Sequence, residues 1–231
     1  MATPINISVR QFSKIFWAQI MEGTESTLAE KEALAIKLNS LESLRDHAEY
    51  NTGSISFSAA WCIYNLTKYL KVKKIIEIGT FIGKSTISIA SAIDCHFSDG
   101  EIYTCDFSNS IKLPYNGKTK IVQFQKKTST DMLKTLNGNF DFCFLDGRIT
   151  EEDLPLFNNL INENTIIALD DFEGMEKGVI NLINLRKLQK LNNHFLAYPP
   201  SENYLQKLGL NSHSLTAVLL PISLIQFTNQ G

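Results

Sequence analysis

The chain has 231 residues, 44% of them hydrophobic and 20% charged, enough to bury a substantial core and far from the composition of a disordered or fibrous protein. Lys and Arg number 22 against 24 Asp and Glu, a net charge of -2, so no basic excess draws the chain to nucleic acid or to an anionic membrane, and neither partner is expected. Met1 to Gln19 lacks a basic segment followed by an apolar core. The apolar run Leu215 to Ile225 is too short to span a bilayer and is broken by Pro221, so a cytoplasmic protein is expected. Cys62, Cys95, Cys105 and Cys143 are scattered without a C-x-x-C pair, which reads as small core residues in a reducing compartment.

In chain order, Phe12, Ile15, Phe16 and Ile20 mark a first amphipathic helix. Leu34, Leu38, Leu41 and Leu44, with charges between them, predict a second over Glu25 to Tyr50. This 1–50 segment is expected either as a helical cap or as a contact between subunits of a homo-oligomer, with Phe12, Phe16, Trp17 and Ile20 as its apolar face, or as padding on a sheet. Ser56 or Ser58 can cap a helix running to about Leu70. Lys74 to Ile78 then reads as a buried parallel strand, Gly79 to Gly83 as a turn, and the residues from Ser85 as a helix whose N-terminal N–H groups face that turn.

The same alternation continues. Strands are predicted at Glu101–Asp106, Lys120–Phe124, Phe140–Asp146 and Thr165–Asp170, and helices at Thr128–Leu136, Glu151–Ile161 and Gly174–Lys190. Two final strands are expected at His194–Tyr198 and Ser214–Leu220. Such an order implies a parallel α/β sheet with right-handed crossovers, and a ligand at the carboxyl ends of its strands, where Asp106, Asp146 and Asp170 fall.

Three ligands compete for the Gly79 turn. A phosphate-binding P-loop needs four residues between its first glycine and Gly-Lys-Ser, and only Thr80, Phe81 and Ile82 stand there. A dinucleotide fingerprint needs a second glycine where Phe81 stands. The stretch from Glu77 to Thr86, E-I-G-T-F-I-G-K-S-T, instead resembles motif I of class I S-adenosylmethionine-dependent methyltransferases, particularly small-molecule O-methyltransferases of the catechol, caffeoyl-CoA and sugar types. Phe140 to Gly147 and Ile166 to Phe172 resemble the fourth and fifth strands of that family, so the resemblance covers roughly residues 50 to 185.

The resemblance implies a Rossmann-like three-layer α/β sandwich: a mostly parallel seven-stranded sheet closed by a C-terminal antiparallel hairpin, with an N-terminal helical extension. Residues 1–231 are expected as one domain whose 51–231 core carries the site. It also implies S-adenosylmethionine bound by Glu77, Gly79, Thr80, Phe81, Gly83 and Ser85 at the turn, by Asp106 at the ribose, by Phe107 and Ser129 beside the adenine, and by Asp146. Asp146, Asp170 and Asp171 match positions where relatives hold a divalent metal, so Mg2+ is expected there. Asp146 and Asp170 would then act catalytically through it on the hydroxyl of a small-molecule acceptor. The chain departs from catechol-type relatives at Ile149, where they carry a lysine base, so no general base is assigned. A catalytically silent S-adenosylmethionine-binding module and an NAD- or ATP-dependent enzyme on a related sheet are the alternative readings.

Overall fold

The computed structural model describes residues 7–50, 53–211 and 215–224. In chain order it contains α1 (Val9–Gly23), α2 (Leu28–Ser40), α3 (Phe57–Leu70), β1 (Lys74–Ile78), α4 (Lys84–Ile93), β2 (Glu101–Asp106) and β3 (Lys120–Gln125). There follow α5 (Ser129–Leu133), β4 (Phe142–Leu145), α6 (Asp153–Leu160), β5 (Ile166–Leu169), α7 (Gly178–Leu185), β6 (His194–Ala197), α8 (Glu202–Lys207) and β7 (Ala217–Pro221). The strands form one seven-stranded sheet in the order β3-β2-β1-β4-β5-β7-β6. The five strands β1 to β5 pair in parallel, and β7 runs antiparallel to both β5 and β6, which closes the sheet with the expected reversed hairpin.

Alternation along each buried strand assigns its side chains to two cores. Ile75, Phe142, Ile166 and Val218 face a core shared with α1 to α4 and α8, while Ile76, Cys143, Ile167 and Leu219 face one shared with α5, α6 and α7. This is the three-layer arrangement that continuous apolar strands imply, since a sheet covered on both faces has no side left for water. The chain order reverses on either side of β1, and ligands of open α/β sheets bind at such a switch point.

The N-terminal segment differs from expectation at its second helix, and of the readings offered for its first the padding of the sheet is the one that fits. Glu25 has a left-handed φ of 51°, so α2 starts only at Leu28, where Thr27 and Glu30 form a reciprocal capping box; after Leu41 the chain tightens into a 3-10 turn at Glu42–His47. The apolar face of α1 is also not available to another subunit. Phe12, Phe16, Trp17 and Ile20 are all buried within the chain, where α1 packs on α3 and β6. The Trp17 indole N–H donates to Tyr198 O at 2.7 Å and the Tyr198 N–H to Ser13 Oγ at 2.8 Å, fixing the helix to the edge of the sheet.

The helix expected over Gly174–Lys190 begins only at Gly178, leaving a loop from Asp171 to Lys177 directly after β5. Asn51 and Thr52 of the expected turn before α3, and Ser214 of the final strand, lie outside the described residues.

Candidate active site

Register brings the expected residues into one row. Ile78 pairs with Cys105 and Leu145, and Leu145 with Leu169, so Gly79, Asp106, Asp146 and Asp170 each stand one residue past these partners at the carboxyl ends of four adjacent strands. Gly79 has φ 102°, and a Cβ there would press on the backbone of Asp146 and Gly147 at 3.1–3.2 Å, so only glycine lets the turn cross the end of β4. Gly83, at φ 81°, opens α4, and a Cβ on it would collide with Leu113 at 2.3 Å. Between them Phe81 takes a left-handed φ of 45°, a strained position for an aromatic residue.

Glu77 lies beneath this turn and is fully buried. Thr86 donates to its Oε2 at 2.5 Å, while Oε1 has no hydrogen-bond partner among the described residues. Burial raises the Glu77 carboxyl to about 7, against the pull of nearby Ser85, Thr86 and Thr104 hydroxyls and with a further push from the Asp146 charge. A buried carboxylate oxygen without a donor is what a ligand's ammonium group would satisfy. Ser85 is buried beside it rather than open to solvent.

Asp106 ends β2 with both oxygens engaged. Oδ2 accepts from the Tyr50 hydroxyl at 2.7 Å and the Phe81 N–H at 2.8 Å, and Oδ1 accepts from the Ser108 N–H at 3.0 Å. Tyr50 also stacks on the Phe81 ring at 5.0 Å, with Arg45 5.1 Å above the same ring. Tyr50 and Arg45 carry no motif, and the amphipathic spacing of the second helix gave no sign that the chain would leave it to reach the turn.

Thr80, bonded to Thr104 at 2.5 Å, and Phe81 separate two shallow clefts. One runs from Asp106 to Gln123 and Gln125; the other lies between Ile55, Ser85 and Asp146. Phe107, next in the chain to Asp106, is 76% exposed. The Ser129 hydroxyl donates to the buried Asp153 at 2.8 Å, in a network also joined by Thr130 and Thr150.

The three aspartates expected to hold a metal do not fit that role as they stand. Lys177 Nζ lies 2.8 Å from Asp146 Oδ1 and 2.7 Å from Asp171 Oδ2, so a cation already bridges two of the three. Asp170, almost wholly buried, turns Oδ1 to the Thr216 hydroxyl at 2.6 Å. No group of three or more His, Cys, Asp or Glu side chains among the described residues is arranged to hold a metal. Burial lowers the Lys177 ammonium's pKa, but its two ion pairs outweigh that and raise it above the ordinary lysine value. Burial and the neighbouring Asp146 charge push Asp170 up to about 7, and burial likewise raises Asp146.

Ile149 is buried in the core with its N–H donating to Asn181 Oδ1 at 2.9 Å. Arg148 is tied to the Glu176 carbonyl at 2.7 Å. The lysine of this site therefore comes from the loop after β5. Nothing in the sequence signalled it, because the helix was expected from Gly174 and Lys177 lay inside that span.

A family model described as a methyltransferase domain matches residues 76–172. The O-methyltransferase TomG from Streptomyces achromogenes, involved in tomaymycin synthesis and solved with S-adenosylmethionine, is 13% identical, aligns over 90% of this chain and 95% of its own, and superposes with a TM-score of 0.52. A Klebsiella pneumoniae protein is 10% identical, aligns over 93% of this chain and 99% of its own, and gives 0.50. No curated protein sequence matches the chain. At such identities the solved structures speak for the fold, and the family model for residues 76–172, which span β1 to the end of β5 and include Gly79, Asp106, Asp146 and Asp170. Residues 76–172 are thus similar to a methyltransferase domain, and the chain as a whole shares the fold of the O-methyltransferase TomG.

Proposed function

We propose that the protein is an S-adenosylmethionine-dependent O-methyltransferase of a small molecule, with residues 1–231 acting as one domain. One observation carries the reading: Gly79, Asp106 and Asp146 stand abreast at the strand ends, above a buried Glu77 whose Oε1 has no donor among the described residues. Glu77 would hold the amino end of the methyl donor, the backbone of Thr80 to Ser85 would line its amino-acid portion, and Asp106 would accept from the ribose hydroxyls. The donor, when bound, supplies an electrophilic methyl group on a sulfonium.

The chain's own task is alignment. With the donor bound, the strand-end residues would hold the acceptor oxygen in line with the methyl group, and the acceptor's proton would pass to solvent. No side chain is assigned as base: Lys177 is held charged, and Ile149 has no proton to move. Incubation with methyl-labelled donor and a panel of phenols and alcohols tests the reading. Label transfer matched by S-adenosylhomocysteine release supports it, and binding without turnover of any acceptor would leave the silent module in its place.

A further inference from the structure

Lys177 is brought to the acids by contacts that fix the start of α7 beside the loop after β4. Gly178 opens α7 so close to the β5 exit that a Cβ would lie 2.6 Å from Asp170 O and 2.9 Å from Phe172 Cα. Asn181 donates to Gly147 O at 2.8 Å while accepting from the Ile149 N–H, and Asn184 donates to Ile149 O at 2.9 Å. These bonds clamp α7 onto the loop that follows Asp146. Asp171 takes a left-handed φ of 50°, a strained conformation that accompanies its pairing with Lys177. The ammonium thus sits on a rigid helix start, between carboxylates from the ends of two neighbouring strands.

We propose that Lys177 is the built-in cation of this site, standing where a divalent metal would otherwise bridge Asp146 and Asp171 and offering its remaining N–H to the acceptor oxygen. The inference rests on the methyltransferase reading for its chemistry but not for its geometry. An ammonium has three donors, two are engaged by Asp146 and Asp171, and its side chain is 39% exposed, which leaves the third open to an incoming oxygen. That donor favours the acceptor's oxyanion over its neutral hydroxyl, so the proton leaves to solvent more readily and no metal is needed to acidify it. Lys177→Met would leave two facing carboxylates without a counterion, and such a pair recruits a hard cation.

Manganese titration followed by electron paramagnetic resonance tests this on the full-length protein, with S-adenosylhomocysteine calorimetry on the same samples. The wild type is expected to take up no stoichiometric Mn2+, and Lys177→Met to gain one site per chain, at least about a hundredfold tighter, because the like-charged ammonium is gone. Lys177→Arg, which keeps the charge, is expected to behave as the wild type does. One Mn2+ per wild-type chain, bound as tightly as by Lys177→Met, would overturn the proposal, and so would a folded Lys177→Met that gains no site. Should that variant fail to fold, the wild-type and Lys177→Arg titrations decide, since a stoichiometric site in either contradicts a resident lysine cation. A wild type that rejects both Mn2+ and S-adenosylhomocysteine would sink the methyltransferase reading and leave the lysine bridge standing.

Discussion

Glu77 holds a carboxyl group in a place that disfavours its charge. Its pKa in the folded chain, about 7, lies above the 4.5 of an unfolded glutamate, so as pH rises from about 4.5 to 7 the unfolded chain gives up this proton before the folded one does. Folding stability contributed by Glu77 therefore falls across that window and stays low above it. At about 1.4 kcal/mol per pKa unit, the loss is on the order of 3 kcal/mol. Glu77→Gln is expected to flatten the fall in Tm between pH 5 and pH 8, and to weaken S-adenosylhomocysteine binding at least about tenfold by removing the ammonium's counter-charge. A Tm profile parallel to the wild type's would contradict the assignment. At Gly79, alanine would meet both a left-handed φ and the Asp146–Gly147 backbone just past β4, so Gly79→Ala should cost about 2 kcal/mol in urea denaturation.

The 3-10 turn at Glu42–His47 and the residues after it form an element whose role spacing alone did not reveal. Glu42 pairs with Lys84 at the start of α4, Arg45 lies over Phe81, and Tyr50 donates to Asp106, so the segment folds across the glycine turn. The Tyr50 hydroxyl occupies an acceptor oxygen that a ribose hydroxyl would need. Tyr50→Phe removes that competitor, and the expected result is about fivefold tighter S-adenosylhomocysteine binding by calorimetry, the worth of one modest hydrogen bond. Weaker binding would mean that the phenol assists the ligand instead.

For α1, burial replaces the subunit contact as the reason for its apolar face. Trp17→Ala should cost about 3–5 kcal/mol of stability without changing the sedimenting mass. A change in mass with little loss of stability would restore the interface reading. The apolar spacing told that α1 buries one face and could not tell against what, because a chain's own sheet and a second subunit ask for the same residues.

On the scale of the whole molecule, sheet and site were legible to different depths. Isoleucine-rich strands bounded by Gly79, Asp99-Gly100 and Asn137-Gly138 carry their own periodicity and turn chemistry, and the register then placed Asp106, Asp146 and Asp170 in one row. What the sequence concealed depends on side chains meeting across long separations: Lys177 reaching back 31 residues to Asp146, Tyr50 reaching forward 56 to Asp106, and Ser129 turned to Asp153. No local pattern encodes such pairs. The same holds for the metal site, where three well-placed acids were visible in the sequence and the cation between two of them was not.

Calorimetric titration of S-adenosylhomocysteine into the folded, full-length protein tests the central claim most directly. One molecule is expected to bind per chain with a Kd of roughly micromolar order. Asp106→Asn should weaken it at least about tenfold, through loss of charge-assisted bonds to the ribose. Absence of binding heat and of any thermal shift, from a sample whose circular dichroism shows it folded, would contradict the account.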